Sequence, residues 1–315
     1  MKNAYKQLNI FKCRHEAHRG FESRMSVHHI LNKKQCFPGG CFYFKWRCKL
    51  FSQGKKCYRG YKHMGKNCLG CRYFYEEKIF NHPELQVPET EYREFRKELD
   101  EFEDWLDETV NRELEIHGKI DGVKPLFFKK AYHKGESFSF SGFLIIFKQL
   151  YFERTLMEDY VYLRLSPKTY ASLKFGRGDV LTARATLKLD NGRLVLQKLR
   201  RIDIEDRGEP PLWNESKALV ARETATLIPT QPEGCVQCPF GSLIDVEDYR
   251  SKETRKYRQL YCLQGMKDFR ICPQYTLHAG TEEVQQKLPA NTASCMSHKV
   301  NVAVKVERIQ VGGSW

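Results

Sequence analysis

Ten of the twelve cysteines fall in two blocks, and their spacing is the most chemical feature of the chain. The second block reads Cys235-x2-Cys238, then 23 residues, then Cys262-x9-Cys272. These four thiols lie within 38 residues and follow 163 cysteine-free ones, a distribution expected of a site rather than of scattered packing. Four thiolates at tetrahedral positions suit Zn2+, and a bound ion staples a module too small for a core of its own. The first block is Cys36-x4-Cys41-x6-Cys48-x8-Cys57-x10-Cys68-x2-Cys71. The preferred ligand set there is Cys48, Cys57, Cys68 and Cys71, with Cys36 and Cys41 as alternates and His63 as a substitute. The Cys68–Cys71 pair sits in a Gly-, Lys- and Cys-rich stretch, without the strand-to-helix setting of a dithiol redox motif, so a metal half-site is its reading. Cys13 with His15 and His18 reads as an incidental tract.

Charge and aromatic content single out the same first block. Residues 1–72 hold 17 Lys and Arg against two acids, Glu16 and Glu22, a net +15, whereas the remainder is −1. A charge kept for solubility would be spread along the chain; one basic block points to a polyanion, and nucleic acid is the commonest. Eleven aromatics lie within residues 36–75. Among them Phe42, Tyr43 and Phe44 lead into Trp46, Tyr58 and Tyr61, and these last three are interleaved with Lys45, Arg47, Lys49, Lys55, Lys56, Arg59 and Lys62. Cations neutralise phosphates and release counterions while flat rings stack on bases, so these ten residues are the first candidate nucleic-acid contacts. The bland alternative makes the rings a small core and the cations its solvated face.

Positioning these groups requires scaffold elements, and the sequence suggests six segments. Residues 1–35 read as a basic arm without sustained periodicity, open to disorder, and residues 36–80 as the basic, aromatic metal module. Residues 88–118 read as one acidic amphipathic helix, with Tyr92, Phe95, Leu99, Phe102, Leu106, Val110 and Leu114 on one face. Residues 125–206 form the next segment, in which 135–206 change to strand-like alternation with Asn191-Gly192 marking a tight hairpin. Residues 230–276 form the four-cysteine hairpin module, and 277–315 a C-terminal segment with a final strand.

Four resemblances attach to these residues. The succession "SFSGFLIIF", "YVYLRLSP", "FGRGDVLTARATLKLDNGRLVLQKLRRIDI", with Gly178-Asp179 opening a strand, resembles the OB-fold of nucleic-acid-binding domains. That resemblance covers about 70 residues, under a quarter of the chain, and implies oligonucleotide contact through Tyr160, Tyr162 and Arg164. The second cysteine block is similar to a zinc ribbon, although x9 stands where a ribbon has x2, and Cys238-Pro239 and Cys272-Pro273 resemble the context of iron–sulfur ligands. The six-cysteine basic count resembles the fungal binuclear zinc cluster, which has x2 where this chain has x4 and x10.

The fold expected is therefore α+β, mainly β: an OB-like barrel, one long helix and two cysteine-metal modules. The expected cofactor is zinc, with a 4Fe–4S cluster as the alternative. The function expected is binding of RNA or single-stranded DNA, with a protein partner for the acidic helix. Competing readings are an iron–sulfur protein, either a redox partner or a nuclease-like enzyme, and an assembly protein meeting an acidic partner. No phosphate loop, G-x-S-x-G or H-E-x-x-H occurs, so no catalytic residue is assigned and a non-enzymatic role is preferred. With no run of about 18 apolar residues and no apolar leader, a membrane span and export are not expected. Abundant clustered cysteines then suggest a reducing, cytoplasmic setting.

Overall fold

The computed structural model describes residues 1–16, 18, 23–250 and 254–275. Of these, 4–99 form one compact unit and 1–3 with 100–275 the other.

The first unit carries, in chain order, β1 (Phe11–Lys12), β2 (Arg24–Met25), a π-helical turn (His28–Lys33), β3 (Cys41–Cys48) and α1 (Lys49–Ser52). It continues with β4 (Phe74–Asn81), β5 (Glu84–Leu85) and the first half of α2 (Glu89–Thr109). Strand β1 lies between β2 and β5 in a small antiparallel sheet, and β3 pairs with β4 as a two-stranded ribbon. Residues 1–35 are not a loose arm in their described part, because Ile10, Phe11, Val27 and Ile30 are buried and share the core with Phe95 and Leu99. Phe11 packs against Phe37 and Tyr92, with ring centroids 5.1 and 6.0 Å apart. Isolated apolar residues separated by polar ones carry no period, so this core was invisible to a periodicity argument.

The expected helix over 88–118 is corrected at its C-terminal end. Helix α2 stops at Thr109, Asn111 takes a left-handed φ of 71°, and Glu113–Lys119 is strand β6. Leu114 and Ile116 are buried there while Glu113 and Glu115 are exposed, an alternation of period two that the longer helical run concealed.

After β6 the second unit continues with β7 (Gly122–Tyr132), β8 (Gly135–Phe147), β9 (Leu150–Phe152), β10 (Thr155–Met157), β11 (Val161–Leu165) and α3 (Pro167–Leu173). Then come β12 (Val180–Asp190), β13 (Arg193–Asp206), α4 (Glu215–Thr224), β14 (Thr226–Ile228), α5 (Glu233–Gln237), β15 (Gly241–Asp248) and β16 (Arg255–Cys262). The four strands expected from 137–206 all form, as β8, β11, β12 and β13. Asn191 and Gly192, at φ 50° and 80°, make the turn between β12 and β13, a geometry that disfavours most side chains.

The protein is mixed α and β, mostly sheet, and its largest sheet has eleven strands in the order β10-β9-β6-β12-β13-β11-β8-β7-β15-β16-β14. This ladder is open, with β10 and β14 at its ends; no closed barrel is found among the described residues. Alternate residues of β11 and β12 point inward, and Phe143, Phe147, Leu163, Leu181, Leu187, Leu194 and Leu196 are fully buried. The hairpin of the second cysteine block belongs to this sheet, through parallel pairing of β15 with β7. No helix of the described residues is long and apolar enough to cross a membrane. The strand expected within 277–315 lies outside the described residues.

Candidate metal centres and nucleic-acid face

Cys235, Cys238, Cys262 and Cys272 line one cavity of about 20 Å3, together with Ile228, Met266, Phe269 and Tyr275. Helix α5 presents Cys235, and the turn that follows brings the Gly241 N–H to the Cys238 carbonyl at 3.0 Å. Strand pairing sets Gly241 opposite Cys262, and a 3-10 turn (Phe269–Ile271) delivers Cys272. A Cβ on Gly241 would lie 1.7 Å from the Cys235 carbonyl oxygen, so the knuckle closes only around glycine. Burial pushes the Cys235 thiol up to about 11, and the charges of Cys238, Cys272 and Cys262 push it the same way. Beneath the knuckle the Lys124 ammonium donates to the carbonyls of Val236 and Gly241, at 2.7 Å each. Burial drives Lys124 down to about 8, against the opposing pull of Cys238 and Asp121. Lys124 was not anticipated; a lysine in a strand carries no sequence signal of burial.

Cys48, Cys57, Cys68 and Cys71 line a second cavity of about 20 Å3 with His63, Tyr58, Arg59 and Tyr61. Cys48 ends β3 opposite Phe74, and successive turns bond the Cys68 N–H to Gly65 and the Cys71 N–H to the Cys68 carbonyl. The Cys71 thiol is held below its ordinary value by the backbone N–H of Tyr73, helped by the Tyr58 hydroxyl and the Arg59 charge. The alternates Cys36 and Cys41 do not line this cavity.

Among the described residues, no group of three or more His, Cys, Asp or Glu side chains is arranged to hold a metal ion. The thiols face common cavities without closing on one point.

The candidate nucleic-acid residues divide. Lys49, Lys55, Lys56, Tyr58, Arg59, Tyr61 and Lys62 are exposed on α1 and the loop after it. Lys45 instead pairs with Glu16 at 3.1 Å, Arg47 pairs with Glu77 at 2.6 Å, and the Trp46 indole donates to Glu76 at 3.0 Å. The ribbon adds a face that the candidate set omitted. Phe42 stands opposite Phe80, and Phe44 opposite Lys78. Phe42, Phe44 and Phe80 are 41%, 41% and 65% exposed, and the Lys78 ammonium lies over the Phe42 and Phe80 rings at 4.1 and 5.1 Å. The signal was present in "CFYFKWRC", whose Phe42, Phe44 and Trp46 share one face of any strand.

In the second unit Tyr160 borders an open cleft with Lys119, Asp121, Lys148 and Arg177. Tyr162 lies under the Arg193 guanidinium at 5.7 Å, and Arg164 pairs with Asp190 at 2.7 Å. Asp245 of β15 approaches Arg164 at 3.9 Å and binds Arg258 at 2.8 Å. Tyr162 and Arg164 are thus engaged by an ion network that includes the cysteine hairpin.

Comparison of the chain with protein-family models, with curated proteins and with solved structures gives no match.

Proposed function

We propose that this chain is a metal-stapled protein that binds single-stranded nucleic acid through the exposed aromatic face of β3 and β4. The observation that carries the reading is Phe42, Phe44 and Phe80 in solvent, with Lys78 above two of the rings, inside or beside the segment that holds the chain's excess positive charge. A water-exposed apolar row is costly unless something covers it. Bases cover rings by stacking, and the neighbouring loop cations Lys55, Lys56, Arg59 and Lys62 would meet the phosphates. Zinc is the cofactor of this reading, one ion per four-thiol cavity, supported by the four thiols that line each cavity.

The same reading takes residues 113–206 as an OB-like barrel. Its support is topological. Strands β11 and β13 run parallel, α3 joins β11 to β12, and β12 pairs with β6. Strands β6 and β7, at opposite ends of the run β6-β12-β13-β11-β8-β7, are separated in sequence only by Ile120 and Asp121. That connector bonds both ways, Ile120 N–H to Asp179 and Asp121 N–H to Ile146, as one bent strand shared by both edges would.

Titration of the full chain with fluorescent single-stranded oligonucleotides tests the proposal. With about six phosphates neutralised, the log–log salt slope is expected near −4, and changing Lys55, Lys56 and Lys62 to Ser should flatten it by roughly 2. The Phe42→Ala/Phe80→Ala pair should weaken binding by about 1–3 kcal/mol per ring, with the salt slope and metal content unchanged. Unaltered affinity in that pair would instead assign the aromatic face to a protein partner.

A further inference from the structure

Three thiols of the first unit belong to neither cavity: Cys13, Cys36 and Cys41. They come from separate stretches of chain. Cys13 follows β1, Cys36 opens a turn in which the Gly40 N–H bonds to its carbonyl, and Cys41 begins β3. They nevertheless meet. Asn81, the register partner of Cys41 across the ribbon, sets its amide nitrogen 3.0 Å from the Cys13 sulfur and 3.9 Å from that of Cys41. The thiols of Cys36 and Cys41 lie within reach of each other.

The ordinary explanation is apolar packing, since free cysteine is among the most buried residue types. Cys13 and Cys36 are indeed 0% and 3% exposed. Packing does not explain the donors. The backbone N–H of His15 and the Asn81 amide both point at the Cys13 sulfur, which as a neutral thiol is a weak acceptor and as a thiolate a good one. Donors of this kind orient and steady metal-bound thiolates.

We infer that Cys13, Cys36 and Cys41 are thiolate ligands of a third zinc ion, with His82 as the fourth donor. His82 follows Asn81, and its Nδ1 lies 2.6 Å from where a Cβ on Gly40 would stand, so its ring rests against the peptide leading into Cys41. On binding, the three thiols give their protons to solvent and no redox step is involved. The ion ties β1 to the β3–β4 ribbon, which is the element that presents the aromatic face. It is independent of the two four-thiol cavities, whose eight cysteines it does not use.

The test is metal content and thiol protection in the full chain. Wild-type protein purified with zinc should hold three equivalents by elemental analysis. Cys13→Ser and Cys41→Ser should each hold two, and the double variant should lose nothing further. Iodoacetamide footprinting of wild type covers the case in which a variant fails to fold. Cys13, Cys36 and Cys41 should be protected in the zinc form and alkylated after chelation. Two equivalents in wild type, or equal alkylation of the triad with and without zinc, overturns the site. Cobalt-loaded His82→Ala should show altered ligand-field bands in the increment that Cys13→Ser removes. Unchanged bands overturn His82 as the fourth donor. The eight cysteines of the other cavities should stay protected in all three variants, which separates loss of this site from loss of those.

Discussion

Around Cys71 the chain offers a sulfur a backbone N–H, a tyrosine hydroxyl and a guanidinium; around Cys235 it offers burial and three more thiols. The first setting favours a thiolate before any ion arrives, and the second resists one. Position in the fold accounts for the contrast. The 48–71 cavity is built from turns and an exposed basic loop at the connected end of a two-stranded ribbon. The 235–272 cavity is framed by β15 and β16 of the main sheet and has a buried lysine beneath its knuckle. Equal size and equal thiol count therefore do not imply equal roles. One centre would shape a surface loop, and the other would hold the end of the sheet together.

Removing metal gives the largest contrast. A zinc ion in the second centre would make ion binding and local folding one equilibrium, with an apparent contribution on the order of 10 kcal/mol. Cys262→Ser should lose about one equivalent and make residues 226–275 sensitive to limited proteolysis. Cys68→Ser should also lose about one equivalent, yet cleavage should stay within residues 49–73. The core of that unit rests on Phe11, Val27, Ile30, Phe95 and Leu99 instead. Cleavage spreading through 4–99 in Cys68→Ser would erase the distinction.

Lys124 provides an intermediate effect. Replacing it with Met keeps the length of the side chain but leaves the Val236 and Gly241 carbonyls without their donor. A buried acceptor stranded in this way costs about 1–3 kcal/mol. The desolvation that holds the ammonium near 8 disappears with it, so a net loss of about 2 kcal/mol is expected. Chelator competition should show zinc in the second centre weakened more than about tenfold and the first unaffected. An unchanged second centre would make Lys124 a bystander.

How much of this was legible beforehand depends on how local the cause is. The grouping of Cys235, Cys238, Cys262 and Cys272, and of Cys48, Cys57, Cys68 and Cys71, follows from spacing, because short knuckles and hairpins carry their own geometry. The strands of 137–206 were legible from alternation and from Asn191-Gly192. The meeting of Cys13 with Cys36 and Cys41 was not, since it depends on which strand Asn81 pairs with. Lys124 under the knuckle likewise depends on β7 pairing with β15, more than a hundred residues away. The helix boundary at Thr109 failed for another reason: Leu114 fits both a helical stripe and an alternating strand, and only the pairing of β6 with β12 decides between them.

The finest distinction between the two centres is in protons. A thiol raised to about 11, as Cys235 is, keeps its proton throughout the neutral range, so an entering ion must displace it. Cys71 is shifted the other way, so it gives up its proton more readily than an ordinary thiol. The sign follows directly: zinc affinity falls as pH falls in both centres, and it falls more steeply in the second. Each additional proton released makes the binding constant change about tenfold more per pH unit. Calorimetry in buffers of different ionisation enthalpy counts these protons. The difference between wild type and Cys262→Ser reports the second centre, and that between wild type and Cys68→Ser the first. The second is expected to release more protons than the first near neutral pH. Equal counts would mean that the donors around Cys71 do not bias it toward the thiolate, and the contrast would then rest on burial and proteolysis alone.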